Sequence, residues 1–351
     1  KTGKGLLVIV AEDASEIRHN VKVRDRKINA KDILDLYEEN ERKGISNKIL
    51  VVCNKIATAQ KLMEEVKAEV AGKNISVTVN IFHSRFIKKD RAKLEEEIIK
   101  FGKTYDKNGN LDKQSGIWIA TSIVEASLDI DFDILITELS DLFSLFQRFG
   151  RVNRKGKKDF SKTNCYVFTE IQGNAKYFVD ETIHSMSKAA IKNFEGVISE
   201  DDKNKLIEDY LSVNKIKGSE YYKKYLSSYN NYRESCDYLK SQNDGIRRID
   251  RIDAIPIEVY NQHKEEIESN VKICTDSNAT PEERLRASVS AFGYMVSVRR
   301  SRIDTKCKLI YKGHSNIPII NCSYSSEYGV RFDNTVQNGI IKGADKCSNF
   351  L

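Results

Sequence analysis

The residues most able to do chemistry in this sequence stand in one short run, Gln147-Arg148-Phe149-Gly150-Arg151-Val152-Asn153-Arg154. Its arginines recur every three residues, so a helix end running into a loop can aim two of them, Arg151 and Arg154, at one anionic group. A planar guanidinium suits that task because its donors match phosphate oxygens in bidentate fashion. Such a pair could reach the γ-phosphate of a nucleotide held by a neighbouring domain, where arginine fingers contribute roughly 10³–10⁵ in rate. The competing reading is a solvated basic stretch that continues into Lys155, Lys157 and Lys158.

A second run lies just upstream, Ile119-Ala120-Thr121-Ser122-Ile123-Val124-Glu125-Ala126-Ser127-Leu128-Asp129-Ile130-Asp131-Phe132-Asp133. It leads from a buried strand through a loop into another strand. The alternating Asp129, Asp131 and Asp133 superficially suit calcium, but a calcium loop needs a glycine and a twelfth-position glutamate where this chain has Ile134 and Ser140. That reading is rejected.

These runs need a scaffold, and the first third of the chain supplies one. Strand-like runs are Leu6–Val10, Lys48–Cys53, Ser76–Phe82, Ile117–Thr121, Asp133–Thr137 and Asn164–Thr169, short and mostly β-branched as buried parallel strands are. Between them, Ala57–Val70 and Asp90–Phe101 carry apolar residues at helical spacing. Gly102–Gly116 is polar and reads as an exposed loop. Alternation of this kind predicts an α/β fold with a parallel sheet. We divide the chain into an α/β domain over 1–170, a helical linker over 171–244 and a small β-rich C-terminal domain over 245–351. In the last, Ala254–Tyr260, Leu309–Tyr311, Ile317–Tyr324 and Gly329–Phe332 read as strands, with one helix near Pro281–Phe292. Within the linker, Tyr222, Tyr225, Tyr229 and Tyr232 share a helical face, which we read as a packing stripe in preference to a base-stacking platform.

Composition bounds the function classes. At 351 residues the chain can bury two or three cores. Its net charge of +7 fits a polyanion partner without requiring one. Seven scattered cysteines with no Cys-x-x-Cys pair read as reduced thiols, and five dispersed histidines make a zinc site a poor reading. No apolar run nears the ~20 residues that span a bilayer, and the chain reads as cytoplasmic with no membrane partner.

Together the two runs resemble motifs V and VI of superfamily 2 helicases. Ser-Leu-Asp-Ile-Asp-Phe-Asp with Gln-Arg-Phe-Gly-Arg-Val-Asn-Arg resembles in particular the CRISPR-associated helicase-nuclease family of type I systems. The resemblance extends upstream to Ile49–Lys55, similar to motif IV, and to Phe82–Phe86 with Asp90-Arg91. It is weaker downstream, at Ile320–Tyr324 and Tyr328–Phe332. It implies a RecA-like second motor domain, followed by the linker and C-terminal domain. Arg151 and Arg154 become the finger pair, Gln147 orients the attacking water or touches phosphate, and Asp129 holds the ribose hydroxyls. Thr121 and backbone amides around Ser122 grip a DNA phosphate, with Asn54 and Arg85 as further DNA contacts. His83 is either a buried hydrogen-bonding histidine or a functional one, and Glu125 organises the loop.

The resemblance further implies ATP with Mg²⁺ as the nucleotide, its metal ligands lying in an N-terminal helicase half, and 3′-to-5′ movement on single-stranded DNA. Partners follow: that half, a nuclease domain, and the guide-RNA surveillance complex (Cascade). A phosphate loop G-x-x-x-x-G-K-[ST] does not occur, since Thr2-Gly3-Lys4-Gly5 lacks the hydroxyl residue after lysine, and there is no His-Asp dipeptide. The chain therefore reads as the C-terminal part of a longer protein and as inactive alone. Other readings are a general superfamily 2 helicase or restriction translocase half, and a non-catalytic nucleic-acid-binding module.

Overall fold

A computed structural model describes residues 17–44, 47–126, 128–171, 179–192, 194–238, 251–299, 308–309 and 317–332. The expected strand Leu6–Val10 lies outside the described residues.

The α/β part runs β1 (His19–Arg24), α1 (Ala30–Arg42), β2 (Asn47–Val52), α2 (Ile56–Lys73), β3 (Val79–Phe82), α3 (Lys88–Phe101), β4 (Ser115–Ala120), β5 (Ile134–Glu138), α4 (Leu142–Phe149) and β6 (Cys165–Phe168). There follow α5 (Glu181–Lys192), β7 (Gly196–Ile198), α6 (Glu200–Leu211), α7 (Val213–Ile216) and α8 (Glu220–Tyr238). Seven strands form one sheet in the order β3-β4-β2-β5-β6-β1-β7, parallel except for β7, which pairs antiparallel with β1. The parallel α/β sheet flanked by helices is the expected fold class, and strands β2 to β6 fall on the expected runs.

Side-chain alternation along the central strands separates two cores. In β2 and β4, Leu50, Val52, Trp118 and Ala120 join one, packed by α4 through Leu142, Leu145 and Phe149. Ile49, Val51, Ile117 and Ile119 join the other, packed by α1 and α2 through Ile33, Leu34, Leu62 and Val66. Ala190, Ile191, Ile198 and Leu211 also enter the first core, so α5, β7 and α6 pack with the sheet from beyond residue 170.

A four-stranded sheet follows, ordered β10-β11-β8-β9, from β8 (Arg251–Pro256), β9 (Val296–Arg299), β10 (Lys308–Leu309) and β11 (Pro318–Ile320), with a separate hairpin of β12 (Ser323–Ser325) and β13 (Gly329–Arg331). Three helices accompany it where one was expected: α9 (Ile257–Gln262), α10 (Lys264–Thr275) and α11 (Pro281–Gly293). The run Ala254–Tyr260 is not one strand, because Pro256 fixes its φ at −59 and becomes the N-cap of α9. Ile317–Tyr324 divides into β11 and β12.

The hairpin is sewn to the α/β sheet. Gln60 Nε2 donates to the carbonyls of Tyr328 at 2.7 Å and Val330 at 3.0 Å. Gly329 sits at φ +70, and a Cβ there would lie 2.6 Å from the Arg85 carbonyl oxygen, so this close approach needs glycine. Ile87 joins the C-terminal core, and the Lys88 amide donates to the Met295 carbonyl at 2.9 Å. Among the described residues, no helix is long and apolar enough to cross a membrane. Cys53, Cys165, Cys274 and Cys322 are free thiols.

Candidate nucleotide and nucleic-acid site

Parallel strands deliver their following loops to one edge of the sheet, where ligands of open α/β folds bind. The Cys53 amide donates to Ala120 O at 2.8 Å and the Thr121 amide to Phe82 O at 3.3 Å. Those bonds place Asn54, the His83–Arg85 loop and Thr121-Ser122 side by side beyond β2, β3 and β4. Thr121 is buried and N-caps a 3-10 turn over Ser122–Glu125, with its hydroxyl making no capping bond; Ser122 is exposed.

The floor of the site is a buried polar network around Arg148, which is completely buried on α4. Its Nε donates to Glu125 Oε1 at 2.7 Å, one terminal nitrogen to Thr137 Oγ1 at 2.9 Å and Glu138 O at 2.7 Å, and the other to Asn54 Oδ1 at 3.0 Å. Asn54 also donates its side-chain amide to Leu139 O at 2.9 Å. Both ends of that side chain are thus engaged inside the protein, where Asn54 ties the loop after β2 to α4. Burial pushes the Glu125 carboxyl up, opposed by Arg148.

Past the end of α4, Arg151 and Arg154 converge. Arg151 donates to Leu128 O at 2.5 Å and Glu125 O at 2.6 Å, while Arg154 donates to the same Leu128 O at 3.0 Å. Arg154 also faces Asp129 at 3.4 Å, and Asp129 is exposed. Arg151 Nε is buried without a hydrogen-bond partner, and desolvation followed by the nearby Arg154 charge pulls the Arg151 pKa down. Gln147 is exposed one turn before Arg151. The structure therefore groups Arg151, Arg154 and Asp129 on one rim.

Asp131 and Asp133 are not free to hold a cation, since Lys158 Nζ meets Asp131 at 3.2 Å and Asp133 at 2.8 Å. Asp131 also accepts from Thr104 Oγ1 at 2.8 Å and the Arg154 amide at 2.9 Å.

His83 proves to be a buried tie. Its Nδ1 accepts from the Arg85 amide at 3.1 Å and its Nε2 donates to Tyr328 O at 3.1 Å; burial, then the Arg85 charge, pulls its pKa down to about 3. Arg85 is half-buried and lies 5.3 Å from the Phe332 ring centre.

Two groups of residues escaped the sequence reading. Arg148 lies three residues after Leu145, on the apolar face of α4, and that spacing was a readable signal for burial. His19 and Arg18 carried no signal, because their partners are more than a hundred residues away. His19 Nε2 donates to Val152 O at 3.0 Å, and Arg18 donates to Arg154 O at 2.8 Å. Together they pin the loop that carries the two outer arginines.

Comparison with known proteins finds similarity over the segment that holds this site. A family model for the C-terminal region of the CRISPR-associated nuclease/helicase Cas3 matches residues 45–157. The Cas3 nuclease/helicase of Methanothermobacter thermautotrophicus is 28% identical over 165 residues, 46% of this chain and 18% of that protein. The Cas3 endonuclease/helicase of Escherichia coli is 37% identical over 110 residues, 31% of this chain and 12% of that protein. The matches thus span less than a fifth of those relatives. By fold, 90% of the chain superposes on 43% of T. fusca Cas3-ADP with a TM-score of 0.64 at 14% identity. It likewise covers 42% of a chain in a CRISPR RNA-guided surveillance complex in a pre-nicking state, with a TM-score of 0.59 at 15% identity. This chain is thus similar in sequence, over its motif-bearing segment, to the C-terminal region of the CRISPR-associated nuclease/helicase Cas3, and similar in fold to solved Cas3 structures over most of its length.

Proposed function

We propose that this chain is the second motor half of an ATP-driven single-stranded DNA translocase acting in type I CRISPR interference. The observation that carries the reading is the convergence of Arg151 and Arg154 on one carbonyl beside Asp129; Gln147, exposed one turn before Arg151, is assigned to the attacking water or a phosphate. Two guanidinium groups held together this way can move jointly from backbone carbonyls to phosphate oxygens. Arg151 Nε, unpartnered where it now lies, gains a hydrogen bond in that move. Asp129, exposed, accepts from ribose hydroxyls.

Thr121, Ser122 and Arg85 form the DNA side, from neighbouring loops at the same sheet edge. Hydroxyl, amide and guanidinium donors suit phosphates and read no sequence, so binding is sequence-tolerant and salt-sensitive. Mg²⁺ is assigned to an N-terminal half, because the acidic pair here is already neutralised by Lys158. Closure of two RecA-like halves around ATP and reopening after hydrolysis would step the strand 3′-to-5′ toward a nuclease domain, on DNA opened by the guide-RNA surveillance complex. The division into a motor domain over 1–170, a linker over 171–244 and a C-terminal domain over 245–351 belongs to this proposal.

The deciding test is DNA-stimulated ATP hydrolysis by the chain alone and with an N-terminal half supplied in trans. Activity confined to the mixture and lost in Arg151→Ala is expected. Hydrolysis by the chain alone, or an inert mixture despite verified association, overturns the reading.

A further inference from the structure

The tyrosine stripe of α8 is not packed. Tyr225 and Tyr229 are each 49% exposed, and Leu226 between them is 38% exposed. The expectation of a packing stripe is therefore corrected: these rings face solvent and one another. Tyr222 and Tyr225 have ring centres 6.2 Å apart with planes 28° apart, and Tyr225 and Tyr229 are 6.3 Å apart at 19°. The Tyr232 side chain lies outside the described ones.

Charge gives the ladder its complement. On α8, Lys223, Lys224 and Arg233 stand against Glu220, Glu234 and Asp237, so the helix is neutral overall while two of its cations lie beside the rings, Lys223 paired with Glu220 at 2.7 Å. Lys223 and Lys224 are exposed within the ladder itself. An apolar protein partner would leave those cations desolvated, whereas a polyanion with flat, stackable faces uses both features. α8 packs against α5, whose Ala190 and Ile191 enter the first core of the seven-stranded sheet.

We infer that Tyr222, Tyr225 and Tyr229, with Lys223 and Lys224, form a base-stacking surface for single-stranded DNA, separate from the phosphate contacts at Thr121, Ser122 and Arg85. The inference deepens the proposed translocase reading and rests on it for the choice of DNA. Rings supply sequence-tolerant stacking, and the lysines follow the backbone. Such a surface holds a strand while the motor site releases its own grip.

The test is fluorescence anisotropy of the full 351-residue chain with a labelled oligothymidylate and with an abasic oligonucleotide of equal length. Tyr225→Ala/Tyr229→Ala is expected to weaken oligothymidylate binding roughly tenfold, in line with the stacking contribution per base, and to leave abasic binding within twofold. Tyr225→Phe/Tyr229→Phe should bind like the parent, which also controls for folding. Unchanged oligothymidylate affinity in the alanine variant overturns the inference. So does an equal loss on both oligonucleotides, or an effect only on association with an N-terminal half. Arg85→Ala separates the two ideas. If it weakens both oligonucleotides while the tyrosine variant is silent, the ladder fails and the motor-side grip stands. If only the tyrosine variant matters, the grip fails and the ladder stands.

Discussion

Two sets of arginines sit within seven residues of one another and behave oppositely. Arg148, on the floor, is completely buried and spends its guanidinium on Glu125, Thr137, Glu138 and Asn54. Arg151 and Arg154, on the rim, are half-exposed and rest on the backbone carbonyls of Glu125 and Leu128. The floor arginine has several partners fixed in a dry interior, so it locks the turn after β4 against α4. The rim arginines hold exchangeable partners, so a phosphate can replace them. One run thus holds both a buried anchor and two arginines tied only at the rim, and the same residue type serves each because surroundings decide its use.

The largest effect should come from the rim. Arg151→Ala is expected to cut DNA-stimulated ATP hydrolysis in the reconstituted protein by about 10³-fold or more. Its loss of folding stability in urea should stay near ~1 kcal/mol, the value of an ordinary hydrogen bond. A large drop in stability would make Arg151 a second anchor and erase the contrast.

The floor should show the reverse. Arg148→Ala leaves the Glu125 carboxylate buried without its cation, and removal of one partner from such a pair costs about 3–5 kcal/mol. Urea unfolding of the chain alone measures this, with no nucleotide present. A cost below ~1 kcal/mol would mean that solvent reaches the floor.

The pH dependence probes the support beneath the rim. His19 is held neutral by burial, with the Lys203 charge second, and its pKa is pulled down to about 4; Arg18 and Glu200 are its other charged neighbours. The unfolded chain then binds more protons than the folded one between pH 6.5 and 4. The contribution is therefore complete above pH 6.5 and drains as pH falls, by about 3 kcal/mol in total. His19→Gln should lose less stability than the parent between pH 7 and 4.5, as read from urea midpoints. An equal loss in both would separate His19 from the acid sensitivity.

Asp129→Asn should be the mildest change. Its ion pair with Arg154 is largely exposed, so stability should shift by less than ~1 kcal/mol. The effect expected instead is a higher KM for ATP in the reconstituted protein with kcat little altered, and an unchanged KM would remove Asp129 from the ribose.

The sequence by itself determined the central strands, because runs such as Ile49–Val52 and Ile117–Ala120 are apolar on both faces, which only a strand buried between two layers needs. It also determined the order of the motif runs and which of their residue types suit phosphate. His19–Arg24 stayed hidden because Val21 and Val23 alternate with polar residues over too short a run. The three-residue Gly196–Ile198 exists as a strand only through its pairing with β1. Tertiary structure alone decided the direction each polar side chain faces. Three arginines at equal spacing look alike in sequence, yet burial selected Arg148 as an anchor and left Arg151 and Arg154 at the rim. Asn54 turned inward because Arg148 and Leu139 lay within hydrogen-bonding reach, and His83 became a tie because Tyr328 arrives from far along the chain. Tyr225 and Tyr229 remained exposed because no described element covers that face of α8. Spacing records which residues share a face of an element, but burial depends on what the rest of the chain brings against that face.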